Sequence, residues 1–225
     1  MDKNRIDDRI WKRRGVQLSR HFADATSKLR EAALSRKDYD PARLFKWGQM
    51  MALAVVRMME GTEKAFGAKG QEVMNHVLVD LGREIGREVL NRYTIAPRTR
   101  EIEAISKFVT YINEEVWASP EIPKILSDSE CICDVLWCPH QDHYKPFDCR
   151  VQRYIVQGLL EAFQEKTGIA VDARFTQIIP KGAETCRFEV RVLSKGEGRE
   201  WTQYSSDLAQ RALKRVSDDS SRKER

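Results

Sequence analysis

The spacing of apolar residues changes once along this chain, at Pro120 and Pro123, and that change limits what the chain can fold into. Upstream, apolar side chains recur every three or four residues, the period of a helix with one buried face. Ile6, Ile10, Val16, Phe22 and Leu29 form one such series, with a break expected near Gly15. Asp40-Pro41 reads as a cap and first-turn proline, opening a helix through Phe45, Met50, Val55 and Met59 that stops at Gly61. Met50, Met51, Met58 and Met59 read as core filler or pocket lining. A further helix runs from Lys69 to Arg92, and another after Pro97 carries Ile102, Ile105, Val109, Ile112 and Val116. Gly82 and Gly86 interrupt the helix over 69–92. Each glycine costs about 1 kcal/mol of helix propensity against alanine, so a closely packed neighbour is the expected compensation.

Downstream of the prolines the pattern becomes that of strands. Strands are expected at 131–138, 170–179 and 185–193, the last two separated by the turn-like PKGAE. A helix over 148–166 ends at Gly168, and a final helix covers 205–216. The expected class is α+β: a helical N-terminal half packed on a C-terminal, largely antiparallel sheet with a crossing helix. The expected layout is one integrated domain, with a helical portion over 1–120, an α+β portion over 121–217 and a disordered tail over 218–225.

Composition excludes some functions. With 225 residues the chain can bury a proper core, and its 41% hydrophobic and 32% charged residues are a soluble globular balance. No apolar stretch approaches the roughly 20 residues that a membrane span needs. The N-terminus MDKNRIDDRIWKRRG lacks the apolar core of a secretory signal, so a cytoplasmic location is expected. A net charge of +5 comes from 39 basic residues interleaved with 34 acidic ones, which argues against a nucleic-acid stripe. The apolar helical faces would suit a homodimer or the protein's own core.

Four of the five cysteines and two of the four histidines fall in the run CICDVLWCPHQDHYKPFDC, from Cys131 to Cys149. Thiolate and imidazole serve both as metal ligands and as catalytic groups. The intervals do not supply the two ligand pairs of a zinc finger, and an odd cysteine count favours free thiols over a disulfide framework. A zinc site drawing on Cys138, His140, His143, Cys149 and Cys186 is one expectation. A metal-free pocket with one reactive thiol and no cofactor is the other.

The succession from Cys138-Pro139 through the helix CRVQRYIVQGLLEAF to KGAETCRFEV resembles a superfamily of small-molecule-binding domains. It includes the 4-vinyl reductase domain and the L-2-amino-thiazoline-4-carboxylate hydrolases. GREIGREV and the long helical lead-in look closer to the hydrolase branch. Gly182-x3-Cys186-x-Phe188 stands where that superfamily has Gly-Asp-x2-Cys-x-Phe, with Ala183 replacing the acid. Where some 4-vinyl reductase domains have zinc ligands, this chain has Phe175 and Ile178, which cannot bind metal. Carry-over leaves Cys149 and Cys186, with His140 or His143 as substitutes.

The hydrolase resemblance implies opening of a small cyclic amidine or related nitrogen heterocycle by a nucleophile, an acid and donors for developing charge. Cys149 begins a helix, whose dipole lowers a thiol pKa, and is the candidate nucleophile. His140 or His143 is then its base, and Asp142 or Asp148 orients the imidazole. Cys138 and Cys186 would line the same pocket, and Arg150 and Arg153 would hold a substrate carboxylate. The alternative is a non-catalytic small-molecule-binding or sensor module of the 4-vinyl reductase type, with an apolar cavity and inert cysteines.

Overall fold

A computed structural model describes residues 27–92 and 95–223. The series expected over the first thirty-odd residues lies largely outside this range. Its described end is a short helical stretch closing in a π turn at Arg30–Leu34. Helix α1, Ala42–Leu90, follows. The Asp40 carboxylate accepts from the Ala42 N–H at 2.9 Å, the start expected from Asp40-Pro41. The expected stop at Gly61 is wrong by about two turns: the two helical halves meet at Gly67, where φ is 59° and ψ is −138°. Glycine reaches that conformation without a Cβ clash, so it can turn the axis there, whereas Gly61 keeps helical geometry.

Helix α2, Glu101–Tyr111, continues into a π-helical segment, Ile112–Val116. Strands β1 (Glu121–Ile125) and β2 (Glu130–Val135) form a hairpin. The prolines at 120 and 123 read as a pure break, yet Pro123 sits inside β1. The sheet order β1-β2-β4-β3 makes β1 an edge strand, where a missing N–H is tolerated. Helix α3 (Arg150–Thr167), ended by a left-handed Gly168, then leads to β3 (Val171–Gln177) and β4 (Cys186–Val192). All pairings are antiparallel. The last helix, α4, spans Glu200–Lys223; it starts earlier than expected and continues into the segment expected to be a disordered tail, as far as the described residues reach.

The fold is the expected α+β one. The helical N-terminal region packs against a largely antiparallel C-terminal sheet, with α3 crossing between them. Alternation along β2 and β4 turns Cys131, Cys133, Phe188 and Val190 to one buried face, where they meet Ile105 and Phe108 of α2 and Leu159 and Phe163 of α3. On its other side α3 meets α1: Val151 and Tyr154 pack with Val56, Met59, Leu78 and Val79. Of the four α1 methionines expected as core filler or pocket lining, Met59 is in the core; Met50, Met51 and Met58 are exposed.

Glycines set the α1–α3 distance. A Cβ on Gly82 would lie 2.0 Å from the Ile155 carbonyl oxygen, and one on Gly158 would lie 1.9 Å from that of Val79. Backbone touches backbone, so neither neighbour has a flexible side chain to move aside. Arg83–Glu161 (2.6 Å) and Arg87–Glu165 (2.9 Å) flank the contact at partly exposed positions, where such pairs are worth little. Gly158→Ala should therefore lose at least the roughly 1–3 kcal/mol typical of overpacking. Gly61→Ala, in open space on the same long helix, should gain about 0.5–1 kcal/mol. Urea unfolding of the two variants checks both signs.

Candidate functional site

The loop between β2 and α3 is fastened to α1. The Gln49 amide donates to the Pro139 carbonyl, and the Tyr144 hydroxyl donates to the Ala52 carbonyl at 3.3 Å. Within the loop, the Asp148 carboxylate accepts from the Lys145 N–H at 2.8 Å. These bonds hold Cys138 and His140 over the first turn of α3. The turn after β3 brings Cys186 and Ile178 to the same place, with the Ile179 N–H 3.2 Å from the Cys186 sulfur.

The result is a cavity of about 240 Å³, a little under the roughly 300–1,000 Å³ of drug-sized ligand pockets. Cys138, His140, Cys149, Arg150, Arg153 and Cys186 all line it. The structure thus brings together six of the nine residues singled out from sequence, drawn from a loop, a helix and a strand. Of the other three, Asp142 and His143 are exposed and Asp148 is buried, and none of them lies on the cavity wall. Among the described residues no hydrogen bond joins Asp142 or Asp148 to either imidazole, so the expected orienting pair is not formed. His140 instead stacks on Tyr144, with ring centroids 4.7 Å apart.

Burial decides the protonation of the thiols. Cys149 begins α3 as expected, but its pKa is pushed up to about 12, first by burial and then by Cys186, Cys138 and Asp148. The expected lowering by the helix dipole is overturned. The dipole supplies about 0.3–1 kcal/mol, less than the 1.36 kcal/mol of one pKa unit, and the opposing effects are larger. Burial also raises Cys138 and Cys186. His140 is pushed down by burial and then by His143, which favours its neutral form. Cys131 and Cys133, in the same cysteine run, belong to the core behind the sheet. Among the described residues no group of three or more His, Cys, Asp or Glu side chains is disposed to hold a metal ion.

Arg150 and Arg153 are 5% and 1% exposed, not the surface charges that arginines on a helix usually are. Arg150 pairs with Glu63 of α1 at 2.9 Å, and Gln71 donates both to Glu63 (3.2 Å) and to the Ala209 carbonyl of α4 (2.9 Å). This network ties three helices together behind the cavity. The Arg153 Nη2 donates to the Trp201 carbonyl and the Ser205 hydroxyl, each at 2.7 Å, and its guanidinium lies 3.0 Å from the Trp201 ring centroid. Burial pushes the pKa of Arg153 down to about 8. Since a guanidinium gives up its proton so reluctantly, that pressure marks a charge lacking a close counter-ion.

Several wall residues had no signal in the cysteine run: Trp117, Phe175, Lys181, Leu208, Arg211 and Arg215. On α4, Tyr204, Leu208, Arg211 and Arg215 follow at spacings of four, three and four, a single helix face that periodicity could have singled out.

No protein-family model matches the chain. An uncharacterized protein of Archaeoglobus fulgidus is 39% identical over 214 residues, covering 90% of this chain and 95% of that protein. The chain belongs to the family of that archaeal protein. Among solved structures, the trafficking protein particle complex subunit 3 from Naegleria fowleri, covalently bound to palmitic acid, matches with a TM-score of 0.41 at 12% identity. That match covers 65% of this chain and 95% of the other. No helix among the described residues is long and apolar enough to cross a membrane.

Two outcomes follow for this family member. Removing one partner of a buried ion pair typically costs about 3–5 kcal/mol, so Glu63→Leu should destabilise by that order, read by thermal or urea unfolding. With its pKa near 12, Cys149 should carry roughly a thousandth of the thiolate of an ordinary cysteine at pH 7–8. Its labelling by iodoacetamide should be correspondingly slow, rising about tenfold per pH unit through pH 9 without a plateau.

Proposed function

We propose that this protein is a non-catalytic small-molecule-binding module. The single observation that carries the reading is the combination, in one cavity, of an apolar and aromatic wall with three thiols that burial keeps protonated. Trp117, Val135, Tyr144, Phe147, Phe175 and Ile178 supply that wall from four separate segments of the chain. A cavity assembled in this way encloses a ligand by burying apolar surface, at about 25 cal/mol per Å² removed from water. The cysteines then act as small apolar residues that shape the wall. The partner on this reading is a small molecule; nucleic acid has no part in it, and zinc is not required.

The hydrolase implied by the sequence resemblance makes the opposite demand. Attack on a cyclic amidine needs a thiolate, or an imidazole poised as base by a carboxylate. Cys149 is held as the thiol, and Asp142 stands outside the cavity wall. His140 lies on the wall, but its buried Nδ1 has no carboxylate partner to poise it as a base among the described residues.

The neutral dye N-phenyl-1-naphthylamine tests the reading. Saturable fluorescence enhancement is expected with the wild-type protein, retained in Cys149→Ala and weakened at least tenfold in Ile178→Trp, which fills the cavity. Incubation with 2-amino-thiazoline-4-carboxylate should give no ring-opened product. Turnover lost in Cys149→Ala would replace the binding reading with the hydrolase one.

A further inference from the structure

The cavity wall includes five basic side chains, Arg150, Arg153, Lys181, Arg211 and Arg215, and no aspartate or glutamate. They arrive from three places: the first turn of α3, the Ile179–Lys181 turn after β3, and the face of α4 that covers the cavity. Arg150 is matched by the buried Glu63 carboxylate. Among the described residues, Arg153, Lys181 and Arg211 make no ion pair with a carboxylate.

Like charges do not collect around a small cavity without compensation. Part of it comes from aromatic faces: the Arg150, Arg215 and Arg211 guanidinium carbons lie 4.6, 4.0 and 5.9 Å from the Phe147 ring centroid. The Trp201 ring does the same for Arg153. Ring quadrupoles soften repulsion but supply no acceptor oxygens. The Nε and Nη1 of Arg153 and the Nη1 of Arg150 remain buried without hydrogen-bond partners. Leaving a buried charged donor unmet is costly, and an anionic ligand would relieve that cost.

Resting on the small-molecule-binding reading above, we propose that the ligand is a small organic carboxylate. Its head group lies among Arg153, Lys181 and Arg211, and its apolar body lies against Trp117, Phe175 and Ile178. A carboxylate suits the place better than a phosphate monoester, because burying a second negative charge beside an apolar wall costs further desolvation. The exposed Lys181 and Arg211 stand at the open side and draw the anion in, while the buried Arg153 stands at the back. Selectivity then comes from the head group, since the apolar body alone would admit alcohols, acids and amines alike.

Three compounds that differ only in head group test this on the full chain: 3-phenylpropionate, 3-phenylpropan-1-ol and 3-phenylpropylamine. Binding is followed by isothermal titration calorimetry in low salt. The acid is expected to bind at least tenfold more tightly than the alcohol, and the amine more weakly than either. Arg153→Gln should bring the acid to the affinity of the alcohol and leave the alcohol unchanged. Should Arg153→Gln fail to fold, the surface double variant Lys181→Gln with Arg211→Gln answers the question. It should weaken the acid at least threefold and reduce its salt dependence, with the alcohol unaffected. Equal affinity for acid and alcohol overturns the carboxylate inference and leaves the binding reading standing. The same conclusion follows if the protein binds N-phenyl-1-naphthylamine but not the acid. If neither the dye nor any of the three compounds binds, the underlying reading falls and the inference with it.

Discussion

Helices α1 and α3 meet backbone to backbone at Gly82 and Gly158, and most of the molecule's arrangement depends on that close approach. It brings α3 near enough to α1 for Glu63 to reach Arg150 and for Tyr144 to reach the Ala52 carbonyl. It leaves α3 with a neighbour on nearly every side, the sheet and α2 on one face and α1 on another. A helix enclosed in this way must bury whatever stands on its first turn. That is how Cys149, Arg150 and Arg153 come to lie inside the protein, although their local sequence resembles that of a surface helix.

The chemistry of the cavity follows from the same enclosure. Removing water pushes the thiol pKa values up, and it leaves an arginine charge short of acceptors. These are two effects of one cause, desolvation, acting with opposite meaning on the two residue types. A thiol responds by staying neutral and packing as an apolar group. A guanidinium keeps its charge and seeks an anion. The cavity wall therefore combines neutral thiols with five basic side chains, the combination on which the proposed acid-binding reading rests.

Much of the fold was legible from residue spacing. Helical periods located α2 and α3, Gly168 marked the end of α3, and the glycines at 82 and 86 announced a close neighbour. Alternation located β2, β3 and β4, because a sheet with one buried face imprints a period of two. Two of the misses have a plain physical reason. Strand β1 was hidden by Pro123, since sequence does not say that the strand lies at a sheet edge. The break at Gly67 was displaced to Gly61, since both are glycines in a helical pattern and only one takes a positive φ.

For the site, the sequence by itself determined which groups were available: a dense cysteine and histidine run, a helix opening with Cys149 and Arg150, and a separate Cys186. Residues close in sequence share a loop, so part of their proximity was readable at once. Only the tertiary structure decided what those groups could do. It placed His143 and Asp142 in solvent, carried Arg211 and Arg215 from the far end of the chain to the cavity, and set the protonation of Cys149. Burial and the field of distant charges belong to the packed whole, and no local pattern of residues encodes them.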